Sequence, residues 1–348
     1  MIGRFLKTNS YAALSLSGLG APLGRWLEGR SGWWIVGYHR VVDDMRRQDL
    51  YPGLAVTRET FERQLDWMGR HFRFSSLGEI VTGISTGEQF APPRVAVTFD
   101  DGYMDNYEIA YPILRRKGVP ATFFVISDVV QGKLAPPHDV LFQWLRRAVG
   151  GDGKDAERGR RAWHLTVALL NTARGKPLEQ LTQTLMQTQA LTLPSMMDWG
   201  CIQSMATAKM DIGSHTRSHA LLPRVSDADM HEELSTSKQI LSQRLGQPVR
   251  DLAYPDGQCD ARTVRAVEHA GYRCAVTTGV QTTGQQKRWA LPRSMLWEAS
   301  TANALGRFSP TLLRAHATGA LRLWELARQG RLSAGIDGLS PQHRSVLS

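Results

Sequence analysis

Val95-Ala96-Val97-Thr98-Phe99-Asp100-Asp101-Gly102 passes from uninterrupted apolar residues into two adjacent acids and a glycine. An apolar run of this length, closed by a turn signal, reads as a strand buried on both faces, the kind found in parallel sheets. It brings two carboxylates to its C-terminal end. Burying one ionised acid is costly, and two side by side repel. The pair therefore points to a compensating cation or a catalytic task, with a plain acidic turn as the alternative.

A second segment has the same design. Met210-Asp211-Ile212-Gly213-Ser214-His215-Thr216-Arg217-Ser218-His219 is a short strand running into polar residues, with two histidines four apart. On a helical turn that spacing puts both imidazoles on one face, as chelation of a divalent ion requires. Two histidines and one aspartate make a three-ligand site with positions left open for water and substrate.

Working outward, seven strand-like segments are expected at 34–39, 95–100, 122–126, 210–214, 249–254, 274–278 and 289–294. Helical periodicity separates most of them. Phe61, Leu65, Met68 and Phe72 recur behind a Thr57 cap; Met230, Leu234, Leu241 and Leu245 lie between a Ser226 cap and a Gly246 stop; Asp260 caps a helix that ends at Gly271. Alternating strands and helices imply a mainly parallel sheet, covered by helices or closed into a barrel. Chemistry in such folds gathers at the C-terminal strand ends, where the Asp pair and the His pair both fall.

These segments resemble the polysaccharide deacetylases, the NodB-homology family of carbohydrate esterase type. Thr98-Phe99-Asp100-Asp101-Gly102 is similar to that family's first motif, His215-Thr216-Arg217-Ser218-His219 to the second, and Ala253-Tyr254-Pro255-Asp256-Gly257 to the third. Gly118-Val119-Pro120-Ala121-Thr122-Phe123-Phe124-Val125 and Leu291-Pro292-Arg293 resemble later strands, and Gly37-Tyr38-His39-Arg40-Val41 a branch acting on exopolysaccharides. The similarity covers roughly residues 34 to 296.

The resemblance implies a distorted (β/α)7 barrel and one divalent metal, Zn²⁺ first, with Co²⁺, Ni²⁺ or Fe²⁺ as alternatives. It implies that Asp101, His215 and His219 hold the metal, that Asp100 is the base, and that backbone groups of Tyr254, Pro255, Asp256 and Gly257 help bind the oxyanion and substrate. The reaction implied is removal of N-acetyl groups from N-acetylhexosamine units of a glycan, an exopolysaccharide or its precursor. Two alternatives stand beside it: a related amidase or deformylase acting on a small amide, and a glycan-binding protein that has lost catalysis.

The chain departs from the family pattern in three places. Asp256 occupies a position usually aromatic. Ala253 stands where many members carry an arginine that pairs with the base, and Arg293 is the candidate replacement. No late Leu-x-His follows Arg293, so His39, at the end of the first strand, is the candidate acid, with a structural His capping that strand as the alternative.

The 348 residues suit one large barrel or two ordinary domains. The expected organisation is a leader at 1–32, a catalytic barrel at 33–298 and a C-terminal helix and loose tail at 299–348. A helical insertion, about 131–195, follows the third strand; as an excursion at the active-site rim it forms a wall of the substrate groove or serves structure alone. A basic amphipathic helix is expected at 312–328.

Lysine and arginine number 42 against 32 acids, a net charge of +10 that favours anionic partners or simply a solvated surface. The basic residues are dispersed, no nucleic-acid module is visible, and no nucleic acid is expected as a partner. Cys201, Cys259 and Cys274 offer no disulfide framework, which favours a reducing compartment. The leader is modestly apolar and flanked by Arg4, Lys7, Arg25 and Arg30; it packs on the domain or lies on a membrane surface. A cytoplasmic, membrane-peripheral location is expected, with export as the alternative. Trp144, Trp199 and Trp297 are candidate platforms for sugar rings, or core.

Overall fold

A computed structural model describes residues 32–47, 49–149, 155–172, 176–278 and 287–318. Seven strands carry the architecture: β1 Trp33–Tyr38, β2 Arg94–Phe99, β3 Ala121–Val125, β4 Asp211–Ser214, β5 Asp251–Ala253, β6 Cys274–Thr278 and β7 Leu291–Met295. All pair in parallel in that spatial order, and β1 closes the ring by pairing with both β2 and β7. The barrel is distorted because pairing is uneven. β1 and β2 are in register along six residue pairs, from Trp33 beside Arg94 to Tyr38 beside Phe99, whereas β4 meets β5 at Ser214 and Leu252 alone.

Burial explains why these strands read as continuous apolar runs. All of β3 is buried, and so is all of β2 apart from Arg94. A strand with barrel lumen on one side and helices on the other has no solvent face to alternate toward. Each expected strand lies within three residues of an observed one. His39 and Asp100 fall just past β1 and β2, in the loops at the barrel mouth.

The helices begin where their capping residues predict. Thr57 Oγ1 accepts from Thr60 N–H at the start of α1, Arg58–His71, which buries Phe61, Leu65 and Met68. Three helices fill the expected insertion after β3: α2 Pro137–Ala148, α3 Asp155–Thr172 and α4 Lys176–Thr188. They share a small core of Val140, Leu141 and Leu185, packed by Leu169, Leu170 and Leu178. Ser226 caps α5, Asp227–Leu245, which ends at a left-handed Gly246. Asp260 caps α6, Ala261–His269, and α7 is Pro310–Ala317. All but the last residue of the expected leader at 1–32 lies outside the described residues, as do the tail beyond 318 and most of the expected basic helix at 312–328. All three cysteines are free thiols.

Candidate active site

Two parallel strands place the first pair of residues. The Asp100 amide donates to Tyr38 O across the β1–β2 seam, so His39 and Asp100 leave their strands side by side. The Asp101 backbone then turns through a left-handed conformation (φ 72°). Such a conformation costs free energy for a non-glycine residue and is held by its surroundings.

Arg293 arrives from β7. Its guanidinium forms a two-pronged pair with Asp100, Nη1 to Oδ1 at 2.8 Å and Nη2 to Oδ2 at 2.7 Å, and Nη1 also donates to Thr98 Oγ1. Both side chains are buried. Burial alone would raise the Asp100 carboxyl, but the guanidinium outweighs it and holds the group at about 2. The arginine that the third motif lacks is thus supplied in space by β7, behind the same carboxylate.

The histidines come from the loop after β4. The loop is not a helical turn, and the i, i+4 argument made from spacing is corrected here. Thr216 and His219 are both left-handed, at φ 65° and 66°, and the chain folds back so that the two rings meet edge to face at 4.9 Å. Glu233 of α5 fixes this loop, accepting from the backbone N–H groups of Arg217 and Ser218 and from the Ser218 hydroxyl. His215 Nδ1 lies 2.8 Å from Ala253 O; donation to that carbonyl leaves Nε2 as a lone-pair donor.

Asp101 Oδ1 lies 3.4 Å from His215 Nε2 and 3.5 Å from His219 Nε2. These are roughly the edges of a tetrahedron whose donors stand about 2.0–2.2 Å from a shared ion. Neither Asp101 oxygen has a hydrogen-bond partner, although the residue is fully buried. Burial, then the neighbouring Asp100 charge, pushes its carboxyl well above the usual range. Burial lowers His215 and, more strongly, His219, so both imidazoles are neutral. An orphaned buried carboxylate facing two neutral imidazoles is a donor set that fits a divalent cation.

His39 lines the same cavity, its carbonyl held by Asn106 Nδ2. Burial drives its pKa down to about 4, against the pull of Asp100, so it is neutral near pH 7.

The third motif contributes less than expected. Tyr254 is buried with its hydroxyl on Trp289 O, and its N–H is spent on Val276 O. Pro255 has no N–H, and Gly257 N–H donates back to Tyr254 O. Among the described residues this leaves the Asp256 N–H as the motif's donor, carried on a left-handed residue (φ 54°) that lines the cavity with Gly257.

Sequence reasoning missed His138 at the start of α2. Its Nε2 lies 2.8 Å from Tyr103 Oη and 3.5 Å from the outer oxygen, Oδ2, of Asp101. Tyr103 O–H donates to Asp139, whose carboxyl burial raises to about 7. Burial lowers His138 itself to about 3. The cavity, about 240 Å³, is also walled by Trp163, Leu170 and Asn171 of α3, so the insertion forms one side of it. Of the three tryptophans singled out, Trp297 lines it; Trp144 packs in the insertion core and Trp199 against the barrel core under Arg244.

A family profile described as Polysaccharide deacetylase matches residues 87–275, just over half the chain. The Bacillus subtilis (strain 168) protein YxkH, whose name places it among polysaccharide deacetylases, is 23% identical over 257 residues, 73% of this chain and 70% of that one. A poly-beta-1,6-N-acetyl-D-glucosamine N-deacetylase of Staphylococcus aureus is 36% identical over 77 residues, 22% of this chain; the match spans 26% of that relative's length. Two solved structures share the fold. The Streptococcus pyogenes deacetylase PplD in complex with acetate aligns at TM-score 0.56 and 21% identity, covering 82% of this chain and 97% of that one. IcaB from Ammonifex degensii aligns at 0.54 and 19%, covering 83% and 97%.

Proposed function

The chain belongs to the polysaccharide deacetylase family, and on that premise we propose that it removes N-acetyl groups from N-acetylhexosamine units of a glycan, an exopolysaccharide or its precursor. One divalent ion would be held by Asp101, His215 and His219. The observation that carries the reading is the buried Asp100–Arg293 pair standing beside that orphaned Asp-His-His donor set.

The bound ion would supply Lewis-acid charge to the acyl oxygen and to a water. Two imidazoles and one carboxylate at compact spacing suit Zn²⁺ and accept Co²⁺, Ni²⁺ or Fe²⁺. Everything else comes from the chain. Asp100, ionised because Arg293 holds it so, takes a proton from the attacking water. Arg293 fixes both carboxylate oxygens, which aims the base. The Asp256 N–H faces charge that develops on the acyl oxygen. The proton must reach the departing amine for the amide bond to break. His39, neutral at rest, takes up the proton that Asp100 removed from the water and delivers it to the amine nitrogen, which leaves both groups as they began. Trp297 and the insertion wall hold the sugar and exclude water.

The test is acetate release from a panel of N-acetylated glycans, with metal content measured on the same protein. His215→Ala and His219→Ala are expected to lose stoichiometric metal and turnover together. Full metal occupancy in both variants would overturn the ligand assignment. Turnover of a small N-acyl amide with no acetate from any glycan would overturn the substrate class.

A further inference from the structure

A position that is usually aromatic in the family holds a carboxylate in this chain. Asp256 lines the catalytic cavity with His39, Asp100, Asp101, His215 and His219, and its side chain stays exposed there. Its left-handed backbone (φ 54°) is a conformation that a non-glycine residue keeps only when its surroundings hold it.

A chain of hydrogen bonds does the holding. Gln258 Nε2 donates to Asp256 Oδ2 at 2.7 Å and to Asn171 Oδ1, near the end of α3, at 3.3 Å. Arg224, in the loop between β4 and α5, donates from Nη2 to the same Asn171 Oδ1 at 3.2 Å and from Nη1 to Asn171 O. A carboxylate can only accept and a guanidinium can only donate. The two ends of the chain therefore decide which side-chain atoms of Gln258 and Asn171 are oxygen and which are nitrogen. Asp256 Oδ1 and Asn171 Nδ2 are then left without a hydrogen bond among the described residues. Asn171 lines the same cavity. One wall thus offers a fixed acceptor and a fixed donor, tied together through a single Gln258 nitrogen.

We propose that Asp256 Oδ1 and Asn171 Nδ2 read two neighbouring ring hydroxyls of the N-acetylated sugar, the pair at its 3 and 4 positions. One hydroxyl gives its proton to the carboxylate, and its neighbour accepts from the amide. The proposal rests on the deacetylase reading and adds to it the residues that choose the sugar. Asp256 then has two duties: its N–H serves the acyl oxygen, and its side chain holds the ring that carries the acyl group. Asn171 makes the insertion a specificity element as well as a wall.

The test uses the metal-loaded full chain and four methyl glycosides: N-acetylglucosamine and its 3-deoxy, 4-deoxy and 6-deoxy analogues. Acetate release is measured. The wild type should lose roughly tenfold to a hundredfold in kcat/KM on the analogue lacking the hydroxyl held by the carboxylate, severalfold on the other member of the pair, and little on the 6-deoxy sugar. Asp256→Asn can still accept from Gln258 but turns the open atom into a donor. It should no longer separate the parent sugar from the analogue that the wild type rejects most. This ratio, unlike the bare rate, does not move if Asp256 serves only to hold the turn. Asn171→Ala should erase the smaller discrimination.

Equal kcat/KM on all four sugars in the wild type, or wild-type ratios kept in both variants, would overturn the proposal. If Asp256→Asn fails to fold, the wild-type series and Asn171→Ala decide it. If none of the sugars releases acetate, the deacetylase reading falls on its own, and titration calorimetry ranks the same four glycosides. A 3- or 4-deoxy penalty in binding that Asn171→Ala or Asp256→Asn removes would still support the hydroxyl assignment, and a flat ranking would end it.

Discussion

Arg293 sets the protonation state of Asp100. With the guanidinium present the carboxyl sits at about 2, so the base is ionised across the working pH range. Arg293→Met leaves burial unopposed by its strongest partner. The acidic limb of kcat/KM should then move upward by roughly two pH units or more, because Asp100 must lose a proton before it can act. Arg293→Lys should recover part of the shift, since an ammonium gives charge without the fork. An acidic limb unchanged in Arg293→Met would mean that another group controls ionisation. His39→Ala should keep the fold and metal and lose ~10²–10⁴ in kcat. A substrate with a far better leaving group should escape that loss; equal impairment on both substrates would make His39 a structural residue. Asp100, Asp101, His215, His219 and Arg293 were legible because each follows or sits within an apolar strand signal. His138 was not. Pro136-Pro137-His138-Asp139 reads as an ordinary helix start, and only the tertiary fold reveals that it reaches the back of Asp101.

The insertion helices matter as elements, because α2 delivers His138 and α3 delivers Trp163. A buried group behind a ligating carboxylate governs which oxygen faces forward, and loss of such support typically costs 10- to 100-fold in metal affinity. His138→Ala should therefore weaken metal binding by that order, measured by competition with a chromogenic chelator. Affinity equal to wild type would leave His138 a packing residue. The sequence announced the insertion by its break in strand rhythm, but gave no sign of which face met the barrel mouth. The His-x-x-x-His spacing pointed to two residues that do come together, but by the wrong geometry. A helical turn and a doubly left-handed loop bring positions i and i+4 equally close, and spacing alone does not separate them. The third motif failed differently: main-chain donors already used by the β5–β6 ladder and by the turn itself cannot be counted from sequence.

At the scale of the whole molecule, a barrel mouth with a buried, unsatisfied Asp101 is a local weakness that a cation relieves. A ligand that binds only the folded state at about 100 times its Kd adds about 2.7 kcal/mol. Chelation should lower Tm, and stoichiometric Zn²⁺ should restore it; a Tm indifferent to metal would mean that the donor set is not a cation site. Acid should expose a second dependence. The Asp100 carboxyl is depressed in the folded chain, so its contribution is fully present above its ordinary value near 4 and fades as pH falls toward 2. The parallel sheet was legible because strands and helices alternate, but alternation left an open sheet and a closed barrel equally allowed, and closure was expected only from the family resemblance.

That closure also sets a timetable. β1 is the first strand made, yet its second neighbour, β7, lies more than 250 residues downstream, with Val36 beside Ser294. Arg293 reaches Asp100 across 193 positions of chain. Until β7 joins, a sheet of β1 to β6 would therefore stay open, with β1 and β6 as its two edges. Docking of β7 also brings Arg293 onto Asp100. A chain that ended before β7 would lack both the closing strand and the guanidinium that pairs with Asp100.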